Sequence, residues 1–200
     1  MARPNRPALM RLARLHDDAR GAAVVEFALV APVLIMALMG MFDMTYNIYT
    51  SAMLEGSIQK AARDSSVEDA DSVVDGRVTS AVRAIAPDAT IDFNRRAYDS
   101  YANVAKPENY TDLNGNGACD NGEPFEDANG NNTWDRDRGA SGFGGARDAV
   151  LYEVTVTYDR PFPIARFVPG MARQVTTVAR TVLRNQPFGL QQTSTRIGNC

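Results

Sequence analysis

Residues 19–30 read Ala-Arg-Gly-Ala-Ala-Val-Val-Glu-Phe-Ala-Leu-Val, and the reading of this stretch decides the fold. Before it, residues 1–21 carry Arg3, Arg6, Arg11, Arg14 and Arg20 against only Asp17 and Asp18, a basic leader. From Ala22 to Phe42 the chain runs for 21 residues with one charge, Glu26, and Asp43 ends the run. A helix rises about 1.5 Å per residue, so this segment is about 30 Å long, the thickness of a bilayer's hydrocarbon core. A secretory signal has a shorter apolar core of about 7–15 residues and a small-residue cleavage site. Met39-Gly40-Met41-Phe42 is a poor site of that kind, so a transmembrane helix over 22–43 is the favoured reading. The arginine-rich flank puts the N-terminus in the cytoplasm and the remainder outside. Pro32 removes one helical hydrogen bond and is expected to bend the span.

A carboxylate inside such a span is costly and usually functional. Glu26 has two readings. It lies one turn inside, so it can snorkel toward the headgroups. Alternatively, a cut after Gly21 would give Ala22 a new α-amine, positive near neutral pH, to pair with Glu26 of a neighbouring subunit. Desolvation offsets much of that attraction, and the residues alone leave both readings open.

Beyond the span, Met44, Ile48, Ser51, Leu54, Ile58 and Ala61 recur at spacings of three and four, extending the helix to about residue 63 with one apolar or small face. A second helix is expected from Glu68 to Ala86, capped by Ser66 and Asp69, striped by Val73, Val74, Val78, Val82 and Ile85, and stopped by Pro87. The period then falls to two. Ala89, Ile91 and Phe93 predict a strand, Tyr98–Val104 another, Val150, Tyr152, Val154, Val156 and Tyr158 a third, and Val175, Thr177, Ala179, Thr181 and Leu183 a fourth. The fold class is therefore α+β: a long N-terminal transmembrane helix continuing into an amphipathic helix, packed on a small antiparallel sheet. The extracytoplasmic domain covers 44–188, with a polar Asn/Asp/Gly insert over 106–147 and a loose polar tail over 189–200.

Net charge is only -3, and bulk electrostatics name no nucleic-acid partner. The single histidine, His16, lies in the leader. A chain trimmed of its leader has no histidine for Ser-His-Asp or Cys-His catalysis or for a histidine metal site, so no enzyme and no organic cofactor is expected. Cys119 and Cys200 either form a disulfide, as exported proteins allow, or remain two separate thiols.

The insert carries the other motif. Asp112, Asn114, Asn116, Asp120 and Glu123 fall at positions 1, 3, 5, 9 and 12 of a twelve-residue loop, with Gly117 at 6 and the Ala118 carbonyl at 7. This is the calcium-loop spacing: calcium takes about six to eight hard oxygens, and alternate side chains of a tightly wound loop converge on one point. Asp127, Asn129, Asn131, the Thr133 carbonyl and Asp135 repeat the first positions fifteen residues later, but Asn132 replaces the glycine and Arg138 the terminal glutamate. Asp137 is a candidate substitute for that glutamate. The flanks are not helical by pattern, so the loops look like the isolated calcium loops of dockerin-like repeats. The competing reading is a flexible polar insert. Trp134 is either a reporter of the second loop or a local packing anchor.

Arg20 to Leu34 resembles the N-terminus of the TadE-like proteins of the tight-adherence pilus system, with leader charge, Gly, Glu, Phe and Pro in order. Ala-Arg-Asp at 62–64 and the closing strand at 179–188 are also similar, whereas 106–147 has no counterpart. The resemblance implies a type IV pilin-like pseudopilin of the bacterial inner membrane. It would be cut by a prepilin peptidase between Gly21 and Ala22, with Glu26 fifth and Phe27 sixth in the mature chain, and would act with other pilus-assembly proteins. The alternative is a single-pass, calcium-binding adhesin unrelated to pili.

Overall fold

A computed structural model describes residues 20–64, 70–145, 147–184 and 196–200. The basic leader with His16, the Ser66/Asp69 cap and most of the polar tail lie outside the described residues. Helix α1 spans Arg20–Asp64 and contains Pro32 without interruption. Helix α2 spans Ala70–Arg83. The strands are β1 (Thr90–Tyr98), β2 (Pro124–Asp127), β3 (Ala140–Ser141), β4 (Ala149–Asp159), β5 (Gln174–Arg184) and β6 (Arg196–Asn199). Two compact units emerge, the first holding α1 to Thr45 with residues 161–171, the second Tyr46 to Arg160 with residues 172–200.

The first unit is the apolar one. Val24, Val25, Phe27, Leu29, Val30, Val33, Leu34 and Ile35 are all at least half exposed, which water would penalise and a bilayer would not. Among the described residues, α1 is the one helix long and apolar enough to cross a membrane. At its end Phe42 stacks on Phe162, with ring centroids 6.0 Å apart. Gly40 lets Ile164 approach: a β-carbon there would lie 3.3 Å from Ile164 Cδ1.

The second unit has an antiparallel four-stranded sheet in the order β3-β1-β4-β5. Its register places Ile91 opposite Val156, Phe93 opposite Val154 and Ala97 opposite Val150. On the other side of β4, Val154 faces Ala179 and Val150 faces Leu183. These residues share one face of the pleat. They form one core with Leu54, Ile58 and Ala61 of α1 and Val74, Val78 and Val82 of α2. The opposite face is polar, with Glu153 paired to Arg180 and Thr157 bonded to Thr176.

Three expectations change. The apolar stripe of α1 is buried at Leu54, Ile58 and Ala61, but Met44 and Ile48 are exposed. The face at that level is built instead from polar groups with partners: Tyr46 donates to the Ile85 carbonyl at 2.9 Å, and Asn47 accepts from Tyr158 at 2.9 Å. Tyr98–Val104 is not a strand. Tyr98 ends β1, Tyr101–Asn103 form a 3-10 turn, and Ala105 follows with φ 54°. Nor is the end of the polar tail loose, since Arg196–Asn199 pair antiparallel with Pro124–Asp127. Cys119 and Cys200 form a disulfide, and Gly198 lies where a β-carbon would meet the Phe125 ring at 2.4 Å. That packing admits glycine alone, which the composition of the tail conceals.

Candidate functional site

Gly21 lies in the first described turn of α1, where a β-carbon would meet nothing within 4 Å. Its φ is not positive, so among the described residues neither packing nor backbone conformation calls for glycine there. Ala22, Glu26 and Phe27 follow along the same exposed segment. The structure brings no other described group to Glu26.

The insert is ordered. Asp112 accepts backbone N–H groups from Gly115 at 2.6 Å, Asn116 at 3.2 Å and Gly117 at 2.9 Å, and these bonds, the one from Gly117 foremost, hold its carboxyl below the ordinary aspartate range. Asn114 and Asn116 each accept from the backbone two residues on, and both turn their amide N–H groups onto Asp120 Oδ2. Those two donors, Asn114 first, lower the Asp120 carboxyl likewise. Glu123 is buried and closes the loop: Oε1 accepts from Leu113 N at 2.8 Å and Oε2 from Asp120 N at 3.0 Å. Ala118 contributes its N–H to Asn116, which leaves its carbonyl at position seven.

The second loop repeats this pattern bond for bond. Asp127 accepts from Gly130 at 2.7 Å, Asn131 at 3.0 Å and Asn132 at 3.1 Å. Asn129 and Asn131 direct their amides onto Asp135 Oδ2 at 2.8 and 2.6 Å, and Thr133 donates to Asn131. The missing glycine is no obstacle, because Asn132 adopts φ 60° where Gly117 has 77°. Asparagine tolerates the left-handed region better than most residues.

Asp137 does not replace the missing glutamate. It accepts from Tyr98 at 2.8 Å and pairs with Arg96, which ties the insert to β1. Burial and this bond push the Tyr98 phenol up to about 12. The residue at the position-twelve bonds is Glu108: Oε1 accepts from Ala128 N at 2.8 Å and Oε2 from Asp135 N at 3.0 Å. Sequence reasoning missed it by seeking the acid downstream of the loop. The available signal was the spacing, since Glu108 precedes Asp112 by the same four residues by which Glu123 precedes Asp127. Trp134 is a packing anchor in this arrangement, its Nε1 donating to the Glu108 carbonyl at 2.9 Å and its ring 5.6 Å edge-on from Tyr110.

Among the described residues no group of three or more His, Cys, Asp or Glu side chains is gathered as a ready metal cage. Asparagines fill two side-chain positions in each loop and present N–H rather than oxygen to the acid at position nine. A carboxamide has donor and acceptor ends of similar shape, so half a turn exchanges them. Each turn forgoes bonds of about 0.5–1.5 kcal/mol apiece, a cost set against turning the amide oxygens inward.

A family model described as TadE-like protein matches residues 21–63, the whole of α1 but its two terminal residues. Neither the curated proteins nor the solved structures contain a match to the chain.

Proposed function

We propose that this chain is a pseudopilin-like component in the assembly of a tight-adherence pilus, anchored in the bacterial inner membrane by α1. The observation that carries the reading is the TadE-like match over residues 21–63, coincident with an exposed apolar helix. In this reading a prepilin peptidase cuts between Gly21 and Ala22. The new Ala22 amine then neutralises Glu26 of an adjacent subunit and sets the axial register. Gly21 is consistent with it: among the described residues no packing contact and no positive φ requires glycine there. The glycine then serves recognition rather than the fold. Prepilin peptidase and other pilus-assembly proteins are the partners, and the protein itself performs no catalysis.

The second component of the proposal is calcium at the first loop, held by Asp112, Asn114, Asn116, the Ala118 carbonyl, Asp120 and Glu123. Affinity in the extracellular range, about 10⁻⁴–10⁻³ M, fits the mixed Asn/Asp donor set. The ion would lock an insert that has little core of its own. Taken without the N-terminal reading, these loops favour the alternative of a membrane-anchored calcium-binding adhesin.

One mass spectrum of the membrane-extracted protein separates the two. The pilus reading expects a chain beginning at Ala22 in the native host and retention of the leader in Gly21→Leu. An intact leader in the wild type would remove it.

A further inference from the structure

We infer that Glu108 completes a second calcium site in the loop Asp127–Asp135, and that the two loops form a pair in which each repeat supplies the closing glutamate of the other. This rests on the reading of the first loop as a calcium site and extends it to a site whose own sequence lacks the terminal acid. Glu108, Asp112, Asn114, Asn116 and Asp120 recur fifteen residues on as Glu123, Asp127, Asn129, Asn131 and Asp135. The repeats meet antiparallel, with Tyr110 bridged to Phe125, Thr111 N donating to the Pro124 carbonyl at 2.9 Å and Glu126 N to the Asn109 carbonyl at 2.8 Å. An antiparallel crossing of two like units exchanges their ends. Glu123 therefore closes the loop of the first repeat, and Glu108 closes the loop of the second. Even the backbone bonds correspond: Glu123 N donates to the Asp120 carbonyl and Glu108 N to the Asp135 carbonyl, each at 3.0 Å. Arg138, at the nominal twelfth position, is free of that duty and pairs with Glu126.

Charge adds to this geometry, because the backbone N–H groups that Glu108 and Asp127 accept satisfy their oxygens without supplying a positive ion. Glu108 is 1% exposed and Asp127 0%, and among the described residues neither has a Lys, Arg or His partner. Buried carboxylates are ordinarily paired with a cation or coordinate a metal. An all-oxygen set of Asp127, Asn129, Asn131, the Thr133 carbonyl, Asp135 and Glu108 suits a hard divalent ion. A wound loop of this kind favours calcium over magnesium, which demands near-octahedral geometry and keeps its waters.

Trp134 makes the second site separately readable. It is the only tryptophan in the chain, adjoins Asp135 and bonds to Glu108. The test uses the full chain in detergent micelles, freed of metal by chelator, titrated calorimetrically with calcium and by Trp134-sensitised luminescence with terbium. The wild type is expected to bind two calcium ions and to sensitise terbium. Glu108→Gln should leave one calcium ion and lower sensitised emission at least tenfold, whereas Glu123→Gln should also leave one but keep the emission. Asp137→Asn should retain two. A wild type that binds one ion without a Trp134 signal, or a Glu108→Gln protein that still binds two, overturns this inference and leaves the first-loop reading standing. A wild type that takes up no calcium at about 10 mM, well above the extracellular range, removes both. Because the wild-type stoichiometry is itself decisive, a Glu108→Gln chain that fails to fold does not shelter the inference.

Discussion

Asp75 is the point at which α2 is tied to the sheet by charge, and removing its carboxylate tests that tie. Asp75 Oδ1 accepts from the Tyr152 hydroxyl at 2.7 Å and from the Arg95 guanidinium. Arg95 is boxed by aromatic rings, its guanidinium carbon 4.5 Å from the Phe143 centroid, 5.0 Å from Tyr152 and 5.6 Å from Phe93. Its side chain is 16% exposed and that of Asp75 28%. Breaking a fully buried pair by removing one partner costs about 3–5 kcal/mol. Partial exposure reduces this, and the rings still solvate the cation by about 0.5–2 kcal/mol, so Asp75→Ala is expected to cost about 2–3 kcal/mol. Tyr152→Phe deletes one hydrogen bond but leaves the ion pair, at about 1 kcal/mol. For a unit of this size each kcal/mol moves the melting temperature by about 2–4 °C. The expected shifts are therefore about 4–12 °C for Asp75→Ala and about 2–4 °C for Tyr152→Phe. Thermal unfolding followed by near-ultraviolet circular dichroism in detergent reads both. If Asp75→Ala melts no lower than Tyr152→Phe, the buried charge is not what holds α2 to the sheet.

Two further outcomes follow from the insert and its anchors. Tyr98 is raised to about 12 and Tyr152 is raised further, both first by burial. A raised phenol contributes stability that is complete below its ordinary value near 10 and is lost as pH climbs through the folded value. Alkaline unfolding should therefore set in between about pH 10 and 12 with late tyrosinate absorbance, and Tyr98→Phe should remove part of that lag. Cys200→Ser opens a disulfide that closes 81 residues of sequence, worth about 4 kcal/mol on chain-entropy grounds. Unfolding at a much lower denaturant midpoint, reproduced by reductant on the wild type, is the expected result. An unchanged midpoint would show that β2 and β6 hold without the bridge.

Much of the framework was legible in the sequence because it depends on local period. Val150 to Tyr158 alternates so cleanly that β4 can be read directly, and Leu54, Ile58 and Ala61 keep the helical repeat that the core uses. The polar face at Tyr46 and Asn47 was hidden, since hydrophobic spacing cannot register a buried group satisfied by a partner 39 or 111 residues away. Tyr98–Val104 misled for the related reason that a strand-like run does not reveal a turn fixed by side-chain bonds such as Asn103 to Asp99.

By itself the sequence determined the apolar length of α1, the placement of Gly21 and Glu26 within it, the helix-then-sheet order and the oxygen spacing of both loops. These are properties of adjacent residues, written in the chain's own period. Tertiary structure alone decided that Cys119 meets Cys200, that the tail returns as β6 against β2, and that Asp137 turns to Tyr98 while Glu108 serves the second loop. Each of those depends on an antiparallel crossing that brings distant residues to a common point. A one-dimensional spacing rule, which looks for the twelfth residue after the first, has no means of counting backward across such a crossing.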